Sequence, residues 1–188
     1  MRPITVRTRR PRSAIAAIGA LLAVPVLAVG AFAAGGGQSQ LDAVRAATAA
    51  FHDVDAAIAA GYGPFYVCTD ENGGAGAMGQ HYVNGDLVGE PAIDPLHPEV
   101  LVYEPKPDGS LRLVGVEYVT LKSLWEEAYG AGTTPSVLGV DLKPVAAGNR
   151  YGLPDFYERH AWIWRPNPRG MFDDWNSKVS CRGNGDPA

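Results

Sequence analysis

His81, Glu117 and His160 are the residues of this chain whose types and surroundings point to chemistry. Two imidazoles and one carboxylate make a ligand set for zinc, iron or copper that leaves a coordination position open. The two histidines keep similar company. Met78-Gly79-Gln80-His81-Tyr82-Val83-Asn84 surrounds the first and Glu158-Arg159-His160-Ala161-Trp162-Ile163-Trp164 the second, and both stretches read as strands. Strand alternation predicts that Glu158, His160, Trp162 and Trp164 share a face, with an imidazole beside two indoles and a carboxylate. Such a surface makes a pocket wall, and it equally suits a core in which the two Trp are filler. Glu117 falls between Val116 and Tyr118, on a face expected to carry Leu111, Leu113 and Val119. A carboxylate buried there must be paired, protonated or bound to a metal.

These residues support three readings. One is a small-ligand pocket lined by Tyr82, Tyr118, Trp162 and Trp164, with His81, Glu117 and His160 as its polar groups. Another is a metal-dependent enzyme with a divalent transition metal on the same three polar residues. The last is a structural or interaction module with no pocket. The spatial relation of His81, Glu117 and His160 separates them. No local signature chooses: the chain has no H-x-H or HExxH, no G-x-S-x-G elbow and no P-loop. Asp70-Glu71-Asn72-Gly73-Gly74 lacks the spaced oxygen ligands of a calcium loop. His52 and His97 read as structural or exposed.

The elements that must position these residues follow from periodicity. Leu41, Val44, Thr48, Phe51, Asp55 and Ile58 recur at helical spacing and predict a helix over about 40–60, stopped by Gly61. Strands are expected at 65–69, 78–84, 99–104, 111–120 and 156–165, with a short helix over 121–130. Pro107-Asp108-Gly109 has turn chemistry and joins the third and fourth strands in a hairpin. In the expected register, Glu104 faces Arg112, Val102 faces Val114 and Val100 faces Val116. Both hairpin faces are apolar, so both must be covered. The fold class is α+β: an N-terminal helix packed on a mostly antiparallel sheet, curled or closed into a small barrel. One domain is expected over 40–182, with 183–188 a disordered tail.

The N-terminus adds a location. Residues 1–33 carry five Arg and no acid, an apolar run that begins at Ala14, and Ala31-Phe32-Ala33 as an A-x-A cleavage site. This reads as an export signal, or as an anchor if uncleaved, followed by a flexible spacer over 34–39. The protein is therefore expected to be secreted or held in the cell envelope. Of 16 Lys+Arg, those five leave with the signal, so 11 basic residues face 20 acidic ones, a net of −9. That balance disfavours nucleic acid and anionic membrane surfaces as partners. It leaves a small molecule or a metal ion, with membrane contact only through an uncleaved N-terminus. The only cysteines, Cys68 and Cys181, are expected to pair in an oxidising compartment.

Three blocks carry a resemblance. They are Met78–Asn84; Pro98–Glu104 running on to Leu113–Tyr118; and Tyr151-Gly152-Leu153-Pro154 through His160-Ala161-Trp162 to Trp175-Asn176. With the Phe51–Tyr62 stretch they resemble a group of small exported bacterial proteins of unknown function. The resemblance implies export and a compact single domain, and it transfers no catalytic role.

Overall fold

The computed structural model describes residues 37–184 except 72. The expected export segment over 1–33, the start of the spacer and the last four residues lie outside the described residues.

The N-terminal helix is shorter and more broken than its periodicity suggests. Helix α1 runs over Gly37–Thr48, already within the expected spacer, and a 3-10 turn over Ala49–His52 follows. Asp53 then turns extended and accepts a hydrogen bond from the Asp55 backbone N–H, which caps helix α2, Val54–Ala59. An Asp prefers this capping role to a helix interior. The break redirects the chain, so Val44 and Ala57 are buried while Ile58 is exposed.

Strands β1 (Tyr62–Glu71) and β2 (Gly76–Asn84) form the first hairpin, followed by a single turn, α3 (Gly85–Val88). Strands β3 (Val100–Pro105) and β4 (Leu111–Leu121) form the second, and α4 (Lys122–Tyr129) follows. Three short strands follow: β5 (Ser136–Val137), β6 (Val140–Asp141) and β7 (Lys143–Val145). Strand β8 is Phe156–Ala161. It ends four residues before its expected end, where Trp162 and the residues after it leave the ladder. One antiparallel sheet has the order β1-β2-β3-β4-β8-β7. The sheet stays open, so the fold is α+β without the closed barrel. Gly183, expected in the tail, packs against the Pro105 main chain, where an added Cβ would come within 2.4 Å.

Both sheet faces are covered. On one, Leu101, Tyr103, Leu113, Val116 and Tyr118 pack with Val44 and Ala57 of the helices. On the other, Val102, Val114 and Trp162 pack around Cys68 and Cys181, and Val100, Val119 and Phe156 form a neighbouring cluster. Cys68 and Cys181 are joined as expected. The bridge implies an oxidising compartment.

The hairpin register departs from expectation at one point. Glu104 faces Arg112 as expected, but a bulge between Val102 and Tyr103 moves Val102 opposite Gly115 and Val100 opposite Glu117. The extra residue on β4 reverses its alternation. Leu113 stays on the helix face, whereas Glu117 turns to the opposite face with Val119, correcting the face expected for it. Gly115 makes this possible, since a Cβ there would stand 2.9 Å from the Ala161 carbonyl oxygen. Gly79 serves β2 in the same way: its φ is +93°, and a Cβ would meet the Tyr103 carbonyl at 2.7 Å.

Gly79→Ala is expected to cost at least about 1–3 kcal/mol in urea unfolding, the scale of one strained backbone position. Replacing both cysteines by serine removes a link across 113 residues. The chain-entropy model puts that loss near about 4.7 kcal/mol, and a loss below about 1 kcal/mol would contradict a stabilising role.

Candidate functional site

Neighbouring strands β2, β3, β4 and β8 place the site. Val83, Val100, Glu117 and His160 make a lateral row of partners, and His81 stands opposite Val102 one step along. His81, Glu117 and His160 therefore converge on the face turned away from α1 and α2. His81 Nε2 lies 3.3 Å from His160 Nε2 and 3.5 Å from Glu117 Oε2. All three side chains are buried.

Two strands and one later segment complete the cluster. Glu158, two residues before His160, shares its face. Lys143 of β7 lies opposite Glu158, 2.9 Å from Glu158 Oε1, and also pairs with Asp174. His160 Nδ1 is buried without a hydrogen-bond partner. Three carboxylates surround it, with Glu117 Oε1 at 3.7 Å, Asp174 Oδ1 at 3.9 Å and Glu158 Oε2 at 4.0 Å. This environment tolerates a proton on Nδ1 and leaves Nε2 as a lone pair aimed at His81. The His81 ring is also hydrogen-bonded to the Gly79 backbone, while its Nε2 faces His160 and Glu117.

Burial sets the charges. It pushes the His81 imidazole down to about 3, with His160 adding to the effect, and it lowers His160 as well. Burial raises the Glu117 carboxyl well above the ordinary range, and the hydrogen bond it shares with Glu158 raises it further. Burial alone would raise Glu158 too. The hydrogen bond from Glu117, the neighbouring His160 ring and the Lys143 ammonium outweigh that and hold Glu158 below the usual range. The proton therefore sits on Glu117, and Glu158 stays ionised.

A cavity of about 290 Å³ opens over the cluster. Its polar lining is His81, Glu117 and Glu158; its apolar wall includes Phe65, Val83, Val100, Val119, Tyr151 and Phe156. The Tyr151 ring stands between those of Phe65 and Phe156, at 6.3 and 6.5 Å.

The expected aromatic lining is elsewhere. Tyr82 and Tyr118 follow His81 and Glu117 in their strands and so point to the helix face. The Tyr82 ring packs on Tyr103, and the Tyr118 hydroxyl donates to the Pro95 carbonyl, 2.9 Å away. Trp164 also joins the helix side, because the chain leaves β8 after Ala161 and alternation no longer holds; its indole N–H donates to Thr48 Oγ1 at 3.3 Å. Trp162 alone stays near the cluster, stacked 5.8 Å from the His160 ring. His52 and His97 are exposed, and His97 pairs with Asp94 at 2.8 Å. Sequence reasoning missed Lys143, Asp174 and Tyr151. They lie in stretches without periodicity, and only Glu158 carried a signal, its spacing from His160.

No protein-family model, curated protein or solved structure matches the chain. The chemistry of the site rests on its own geometry.

Stability should fall in acid through the imidazoles. His81 titrates near 3 when folded and near 6.5 when unfolded, so its contribution is full above pH 6.5 and is lost as pH falls toward 3. Glu117, raised by folding, acts in the opposite sense. His81→Gln should flatten the decline between pH 6.5 and 3 by up to about 1.4 kcal/mol per pH unit, read by urea unfolding. An unchanged slope would show that His81 is not held neutral.

Proposed function

We propose that this protein binds a transition-metal ion of the zinc class through His81 Nε2, His160 Nε2 and a Glu117 oxygen, and uses it on a small molecule held in the adjoining cavity. The observation that carries the reading is the approach of two buried imidazole Nε2 atoms to 3.3 Å, with a carboxylate oxygen at 3.5 Å. Two ligand atoms each about 2.05 Å from a tetrahedral ion stand about 3.3 Å apart. The separation thus suits a shared ion, and it is long for a direct hydrogen bond.

The surroundings support the same reading. Asp174 and Glu158, 3.9 and 4.0 Å from His160 Nδ1, stand where outer carboxylates orient a metal-bound imidazole. A second acidic group, Glu158, His160 and Asp174, is close enough to hold an ion. The Lys143 ammonium already lies between its two carboxylates, which favours the first group. An ion held there would border the cavity, since His81 and Glu117 both line it. A bound ion lowers the pKa of a coordinated water, and Glu158, on the same wall, is the carboxylate placed to accept the proton. The basic and then apolar N-terminus, together with the Cys68–Cys181 bridge, supports export to the cell envelope or beyond, as in the small exported bacterial proteins the chain resembles.

The test is metal titration of the full chain, purified without a His tag and stripped with chelator. Calorimetry and elemental analysis should find about one zinc ion per chain. His81→Ala and His160→Ala should each weaken binding by about a hundredfold or more, the upper limit for loss of an outer-shell partner. Lack of uptake of zinc, copper, iron and manganese by the unaltered chain would end the proposal.

A further inference from the structure

The cavity over the cluster has a size, a wall and a polar end that together define what it accepts. An apolar cavity of about 150 Å³ holds one benzene ring. At about 290 Å³, this cavity has room for roughly twice that, a fused two-ring body. Phe65, Tyr151 and Phe156 offer ring faces and edges to such a body, and Val83, Val100 and Val119 close the sheet side. The polar end is carboxylate: Glu117 and Glu158, beside His81. Among the described residues, no Lys or Arg lines the cavity. Lys143 is turned to Glu158 and Asp174 and is engaged there. In the metal-free cavity an anionic head group would meet carboxylate oxygens in an apolar enclosure with no cation to receive it, a costly burial. A hydroxyl fits, because its hydrogen can be donated to a glutamate oxygen while its own oxygen stays free to accept.

We propose that this cavity binds a neutral, mostly apolar molecule about two fused rings in size, with a hydroxyl group directed at Glu117 and Glu158. The inference uses the cavity and does not require the ion, so ligand binding and metal uptake stand or fall separately. Glu117 and Glu158 orient the ligand head, and the aromatic wall supplies the affinity. Apolar enclosure with few convergent polar groups is the usual make-up of a small-molecule site.

The probes are 1-naphthol and 1-naphthoate, which share a body and differ in head group. Titration of the full chain by calorimetry, with and without zinc, should show saturable 1-naphthol binding. On the metal-free chain the neutral probe should bind at least about tenfold more tightly than the anion. Val88→Trp and Leu153→Trp fill the cavity from half-buried or loop positions and spare the metal cluster. Each should weaken 1-naphthol binding by about tenfold or more while zinc uptake persists; if one variant fails to fold, the other decides. No saturable 1-naphthol binding, equal or tighter binding of 1-naphthoate to the metal-free chain, or binding untouched by the folded filler variants would overturn the proposal.

Discussion

Taking ionisable groups out of water costs several kcal/mol for each charge that lacks a partner. His81, Glu117, Glu158 and His160 all stand buried on one sheet face, and the rest of the molecule is arranged around that cost. Both imidazoles are neutral, Glu117 keeps its proton, and the remaining charge on Glu158 is matched by Lys143. Lys143 comes from the edge strand β7 and Asp174 from the chain beyond β8. The sheet must therefore extend past β8, and the C-terminal segment must fold back over it. The disulfide and the packing of Trp162 beside Cys181 hold that segment down.

The second dependence is on backbone parity. Strand residues reach one face or the other by simple alternation, so a one-residue irregularity decides where a side chain points. The bulge opposite Val102 turns Glu117 toward the histidines. Gly115 and Gly79 permit it, because neighbouring main chain occupies the space a side chain would need. Without the extra residue the cluster would lose its carboxylate to the helix face.

That helix face is tied by tyrosine hydroxyls. Tyr62 donates to the Pro98 carbonyl, Tyr103 to Phe51 and Tyr118 to Pro95. Each bond joins the sheet to a segment outside it, the end of the helical region or the proline-rich connection. Burial raises all three phenols, which keeps them protonated donors. These aromatics are structural, and this leaves Phe65, Tyr151 and Phe156 to line the cavity on the other side.

Much of this is legible in the residue pattern. Apolar alternation locates the main strands, the Pro-Asp-Gly turn locates the second hairpin, and the cysteine count predicts the bridge. Ionisable side chains are rare inside apolar strands, and that rarity marks His81, Glu117 and His160. Those signals are local, and a strand or a turn is a local solution to hydrogen bonding and burial. What the tertiary structure alone decided is non-local. The bulge that turns Glu117 over, the exit of the chain from β8 that separates Trp164 from His160, and the arrival of Lys143 and Asp174 depend on strands pairing across long stretches of chain. No spacing in the sequence records those contacts, because the energy that selects them arises only when the elements pack.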